Sequence, residues 1–307
     1  MNRMIVSGAR ITGVACAVPV NVVANADERS AKMVGVKERR HADEHSGLLT
    51  LAEHASHRLL REMGWPSADA IVFVTQTSPR RMPSISCELQ NSLGFPTSTP
   101  AFDLNMACSG YTYGLWVAAS LRLPRVLLIV GDTISQFLDP ADASTYPIFG
   151  DAVSATAIEH VGGNARIEFI GGTDGSGSES LHCGNAQPLH MDGPAVFQFA
   201  LSTVPGLIEK TTMNGFVDWL LLHQANKTML DHITKKSKIA PERVPSNIAR
   251  YGNTSSASIP LLMCDSECTE SLQTKTNLLS MCGFGAGLSW GGILTETKPM
   301  PCSVVEV

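Results

Sequence analysis

A chain of 307 residues with 44% hydrophobic content can bury one large core or two intimately packed halves, which excludes a disordered chain. Its formal net charge of −5 excludes an overall basic field, so no nucleic-acid partner is expected. Eight cysteines without a dense framework read as reduced thiols of a cytoplasmic protein.

The first residues, MNRMIVSGARITGVACAVPV, combine Arg3, an apolar run and Ala15-Cys16-Ala17, the ingredients of a secretory leader. Arg10 interrupts the run, and the segment reads instead as a first strand. No apolar segment reaches the roughly 20 residues of a membrane span, so no membrane partner is expected. Residues 21–46 are polar and charged and are expected at the surface, leading into a helix over 48–63. His41 with His45, and His54 with His57, have ligand-like spacing. A solvated loop and the outer face of an amphipathic helix account for them more simply.

The run AIVFVT at 70–75 has the continuous apolar, β-branched character of a buried parallel strand. A loop, SPRRMPS, follows at 78–84, then a helix over 85–93. The stretch PAFDLNMACSGYTYGLW at 100–116 predicts strand, turn, cysteine, helix. A thiol at a helix N-terminus feels the free N–H groups there, so Cys108 is a candidate nucleophile expected to favour thiolate. Further buried strands are expected at 125–130 and 152–158, and the Gly- and Ser-rich residues 170–184 are read as the crossing between halves. A long helix over 193–211, a strand at 219–222, a helix over 227–238 and a strand at 278–282 complete the pattern before the Gly-rich GFGAGLSWGG. Cys264 and Cys268 lie one helical turn apart with no second pair, so no metal is expected.

The second half echoes the first: DAIVFVTQTS has a counterpart in VDWLLLHQAN, and RVLLIVGD in TNLLSMCGFG. This predicts an α/β fold of two similar halves, residues 1–170 carrying the cysteine and residues 171–307 the remaining site groups. His223 and Asn253 sit where apolar runs give way to polar turns. With Cys108 they supply a nucleophile, a base or hydrogen-bond donor, and an orienter.

ACSGYTYGL, HQAN, GNTSSASIP and GFGAGLSWGG, in that order, resemble the signature segments of β-ketoacyl-acyl carrier protein synthase III, the initiating condensing enzyme of bacterial fatty-acid synthesis. The resemblance implies a thiolase-like fold, two duplicated halves in a five-layered αβαβα arrangement, assembled as a homodimer. It implies a decarboxylating condensation of an acyl thioester, through acyl-Cys108, with malonyl-carrier protein, His223 and Asn253 binding the malonyl thioester carbonyl and no cofactor taking part. An acyltransferase on the same fold, passing the acyl group to an O or N nucleophile, is the alternative. The resemblance assigns the backbone N–H groups of Cys108 and Ala286 to an oxyanion hole, Ala286 replacing the family's usual Gly. It assigns Met82, Phe149, Leu189, Met191 and Phe284 to the acyl pocket, Met82 reaching across the dimer.

Lys227, Lys235, Lys236 and Lys238 are candidates for docking acyl carrier protein, although two family basic positions read Gln198 and Thr228. The Trp and Arg that hold the adenine of coenzyme A in the family are absent: Arg29 stands near the first and Ala143 near the second. Coenzyme A is therefore expected to bind weakly as an acyl carrier. The loop TQTSPRRMPS holds no acidic residue, which favours a malonyl donor over non-decarboxylating condensation.

Overall fold

The computed structural model describes residues 2–25, 31–32, 34–184 and 187–307. Two large sheets, layered with helices, form the molecule, beside two two-stranded ribbons, β3 (Val22–Ala24) with β4 (Glu38–Arg40) and β10 (Leu181–His182) with β11 (His190–Met191). The first has six strands: β2 (Ala9–Val18), β5 (Ala70–Val74), β6 (Ala101–Leu104), β7 (Arg125–Asp132), β8 (Ala152–His160) and β15 (Cys302–Glu306), in the order β15-β2-β8-β7-β5-β6. The second runs β1-β9-β14-β13-β12, from β1 (Met4–Ser7), β9 (Arg166–Thr173), β12 (Trp219–Leu222), β13 (Asn277–Gly285) and β14 (Ser289–Thr297).

Period-two alternation places each strand between two helical layers. In β5, Val72 and Val74 face the core between the sheets while Ile71 and Phe73 face an outer core. Leu128 and Val130 of β7 join the former, Leu127 and Ile129 the latter. Because both faces are covered, these strands read as unbroken apolar runs in the sequence.

Helices Leu48–Met63 and Ile85–Ser92 cover the outside of the first sheet. Gly110–Ser120 and Ser258–Cys264 lie between the sheets, touching strands of both. Gly193–Lys210 and Lys227–Ser237 pack together outside the second sheet. The order is helix, sheet, helix, sheet, helix. The repeat seen in the sequence is physical, since β5 pairs parallel with β7 as β12 does with β13, and each pair continues into an antiparallel partner, β8 or β14.

The sheets do not divide the chain where its composition suggests. Residue 170 falls inside β9, which belongs wholly to the second sheet, while β1 joins that sheet and β15 joins the first. Gly171 and Gly172, read as part of a crossing, are strand residues. A Cβ on Gly171 would meet the Phe169 ring at 2.5 Å, and one on Gly172 the Trp290 indole at 2.4 Å. The glycines are there because the aromatic rings occupy the space a Cβ would take. GFGAGLSWGG is likewise mostly strand, the end of β13 and the start of β14.

The polar segment 21–46 is only partly at the surface. Arg39 is 1% exposed, its Nη1 donating to Asn25 Oδ1 at 2.6 Å and to the Val23 carbonyl at 3.1 Å, its Nε to the Tyr146 carbonyl. These oxygens replace the water a buried guanidinium loses. His41 is also tucked in, edge-on to Tyr146 and 3.3 Å from the Phe149 carbonyl. Burial, with Arg39 nearby, lowers its pKa. His45, His54 and His57 are exposed, as expected.

Candidate active site

Cys108 follows β6 and precedes the N-cap Ser109 of the Gly110–Ser120 helix, so strand, turn, cysteine and helix occur as predicted. The thiol is deeply buried because β13 passes directly beneath it. A Cβ on Gly285 would lie 2.8 Å from Cys108 Cβ and 3.1 Å from Sγ, and one on Gly283 would lie 2.9 Å from the Cys108 carbonyl oxygen. No side chain fits between strand and thiol. The sequence signal for Gly283 and Gly285 was GFG, whose close-packing role was not visible without the strand that carries it.

The expectation of a thiolate is not met in the resting site. Burial pushes the Cys108 thiol up to about 12, and the charge of Asp132 adds to this. A hydroxyl contact from Ser255 Oγ, 3.9 Å from Sγ, works in the opposite direction. A helix terminus stabilises an adjacent anion by only about 0.3–2 kcal/mol, less than the cost of leaving water. The thiol therefore holds its proton until a thioester arrives.

His223 stands at the C-terminal end of β12. Its backbone N–H donates to the Cys282 carbonyl at 2.9 Å, which locks the end of β12 to β13. Nδ1 lies 2.7 Å from Ser258 Oγ, and the ring meets Phe284 edge-on. Burial lowers its pKa to about 3, so the ring is neutral at physiological pH. The Ser258 contact orients it.

Asn253 follows Gly252, at φ 64, where a Cβ would collide with the Ile148 carbonyl at 2.4 Å. That approach lets Asn253 N donate to Ile148 O and its carbonyl accept from Gly150 N. The side chain's Oδ1 accepts the Ser255 N–H at 2.9 Å, which leaves the Nδ2 donors for a ligand.

Cys108, His223 and Asn253, from three separate parts of the sequence, line one narrow cavity of about 30 Å³ with Met191, Phe284 and Phe149. A second, wide cavity of about 680 Å³ also opens from Cys108, with Phe149, Leu189 and Ala286 on its walls. Four of the five residues assigned to the acyl pocket thus border the two cavities. Met82 borders neither and is 84% exposed. Among the described lining residues, neither cavity presents a carboxylate.

Beneath the site lies a residue the sequence reading passed over. Asp132, fully buried at the end of β7, accepts from Thr75 Oγ1, the Gln76 N–H and Ser256 Oγ at 2.9–3.1 Å. It ties the β5 loop to the Asn253 turn. Its only sequence signal was an acidic residue closing an apolar run.

The four lysines lie along the Lys227–Ser237 helix and at its C-terminal end, all of them exposed. Lys227 Nζ is 2.9 Å from both carboxylate oxygens of Asp231, and Lys236 donates to the Leu201 carbonyl. Lys235 and Lys238 are exposed, Lys238 ending the helix at φ 61. Gln198 and Thr228 belong to the two helices of that outer layer. Ala143 is exposed, and Arg29 lies outside the described residues. No group of three or more His, Cys, Asp or Glu suited to a metal occurs among the described residues. None of their helices is long and apolar enough to cross a membrane.

Residues 102–175 match the family profile for 3-oxoacyl-[acyl-carrier-protein] synthase III, and residues 210–297 match the profile for its C-terminal part. The β-ketoacyl-[acyl-carrier-protein] synthase III of Trichodesmium erythraeum is 33% identical over 90% of this chain and 91% of its own. That of Streptococcus sanguinis is 34% identical over 93% and 98%. A crystal structure of a 3-oxoacyl-(acyl-carrier protein) synthase from Burkholderia xenovorans superposes with a TM-score of 0.95 at 38% identity, covering 100% of this chain and 99% of that one. The layered fold is the thiolase-like arrangement that the signature segments implied, and the chain belongs to the β-ketoacyl-[acyl-carrier-protein] synthase III family of acyl-transferring condensing enzymes.

Proposed function

We propose that the protein condenses an acyl group, held on Cys108, with malonyl-carrier protein. The observation that carries this reading is the convergence of a nucleophile and two neutral donors on one cavity with no carboxylate at its walls among the described residues. In the first half-reaction Cys108 Sγ attacks the acyl thioester, the carbon–sulfur bond of the donor breaks, and the departing thiolate leaves with the cysteine's proton. The backbone N–H groups of Cys108 and Ala286 share the oxyanion on this reading. In the second, the malonyl C–CO₂⁻ bond breaks and its electron pair builds enolate charge on the thioester carbonyl oxygen. A neutral His223 and Asn253 Nδ2 supply donors there, a contribution that elsewhere is worth about 10²–10³ in rate per donor. The enolate carbon attacks acyl-Cys108, Sγ is expelled as thiolate, and one proton from solvent restores the thiol. The electron pair that makes the new C–C bond is that of the broken C–CO₂⁻ bond, so no cofactor and no strong base are required.

On this reading the acyl group lies against Phe149 and Leu189, and the carrier's arm enters past Met191 and Phe284. Lys235 and Lys238 are the docking cations, and the chain works as a homodimer that covers Met82.

The test separates the half-reactions. Cys108→Ala should abolish acylation of the protein, read by intact-protein mass spectrometry. Asn253→Ala should still acylate, yet lose condensation and CO₂ release about 100-fold or more. An Asn253→Ala protein that condenses at the normal rate would remove the decarboxylative mechanism and favour acyl transfer to an O or N nucleophile.

A further inference from the structure

The two cavities that meet at Cys108 differ in character. The narrow one carries the donors for the malonyl carbonyl, so the carrier's arm lies on that side. The acyl group left on Sγ must then project into the wide one. Its walls include Gln76, Asn105 and Gln136, amides that an alkyl chain would strip of water without replacing the lost hydrogen bonds. It also reaches Arg80 and Arg81. In a chain of net charge −5, this one cavity presents two guanidiniums and, among the described lining residues, no carboxylate. Arg80 has a loose contact with Glu88 at 3.4 Å, its side chain 64% exposed, and Arg81 has no ion pair among the described residues.

We propose that the wide cavity selects acyl thioesters whose chain ends in a carboxylate, monothioesters of dicarboxylic acids, with Arg81 and Arg80 binding the terminal anion. The inference rests on the acyl-Cys108 reading above. A guanidinium matches a carboxylate with two parallel N–H···O bonds, and a concave wall of one charge sign concentrates the matching ion. The anion read is the chain's own carboxylate rather than a phosphate of the carrier's arm, because the arm lies on the His223 and Asn253 side.

The experiment loads Cys108 from paired N-acetylcysteamine thioesters, which carry no phosphate: butyryl against succinyl, valeryl against glutaryl, hexanoyl against adipyl. Rates are read by intact-protein mass spectrometry. At least one ω-carboxyl donor should load about tenfold faster than its alkyl partner at low salt. The ratio should fall in Arg81→Gln and further in Arg80→Gln/Arg81→Gln, with the thermal unfolding midpoint unchanged. An Arg81→Glu variant should reverse the preference.

Alkyl donors that load as fast as or faster than every ω-carboxyl partner overturn the inference and leave the acyl-Cys108 reading intact. Alkyl and ω-carboxyl coenzyme A thioesters that both load faster than their N-acetylcysteamine counterparts, with the gain lost in Arg80→Gln/Arg81→Gln, assign the arginines to phosphate and also overturn it. Failure of every donor to acylate Cys108 overturns the underlying reading and this inference together.

Discussion

Adding one methyl group at Gly285 should disable Cys108 without removing a reacting atom. The Cβ of Gly285→Ala would sit 2.8 Å from Cys108 Cβ and 3.1 Å from Sγ, where apolar heavy atoms rest about 3.5–4.0 Å apart. Relief requires a displacement of about 0.7–1 Å, and neither wall yields easily. Gly285 is paired with Ser289 of β14, and Gly283 of the same strand already presses on the backbone at Cys108 and Ser109. Overpacking of this kind costs about 1–3 kcal/mol of stability. A misplacement of about 1 Å costs about 10²-fold in rate. The expected outcome is a folded protein whose Cys108 acylates about 100-fold more slowly in a single-turnover mass-spectrometric assay. Gly206→Ala is the control, since its Cβ would meet nothing within 4 Å inside the Gly193–Lys210 helix and should leave acylation unchanged. A Gly285→Ala protein that acylates within threefold of the parent would refute the packing argument.

Two further outcomes follow from the site. His223 has its pKa lowered from 6.5 to about 3, so between those values the unfolded chain binds a proton that the folded chain does not. Stability should fall by up to about 1.4 kcal/mol per pH unit as pH drops below 6.5. Asp151, raised from 3.8 to about 6 by burial, acts in the opposite sense and returns stability as pH falls from 6 towards 3.8. Denaturant titrations should therefore show His223→Gln more acid-tolerant than the parent, and an unchanged acid limb would contradict a neutral buried imidazole. Finally, since Arg29 and Ala143 stand near the positions where the resemblance expects an adenine-holding Trp and Arg, matched acyl donors should load Cys108 faster from carrier protein than from coenzyme A. An aromatic–cation sandwich is worth about 1–3 kcal/mol, by analogy with base stacking. Equal or faster loading from coenzyme A would sink that expectation.

The sequence by itself determined what local physics controls. Apolar runs covered on both faces announced the strands, helical periodicity placed the Leu48–Met63 helix at its observed ends, and the order of strand, turn and helix put Cys108 at a helix N-terminus. The echo between DAIVFVTQTS and VDWLLLHQAN revealed the duplication because equivalent strands occupy equivalent buried places in the two sheets. Tertiary structure alone decided the rest. That β1 and β15 each lie in the other half's sheet depends on long-range pairing, which leaves no local mark. Arg39 sits in a charged run that reads as surface, and only the carbonyls gathered from distant segments make its burial affordable. The protonation of the site was likewise beyond the sequence. A helix N-terminus argued for a thiolate, but how far Cys108 and His223 are withdrawn from water is fixed by β13 packed against Cys108 and by Phe284 and Ser258 against the His223 ring, and desolvation outweighs the helix field.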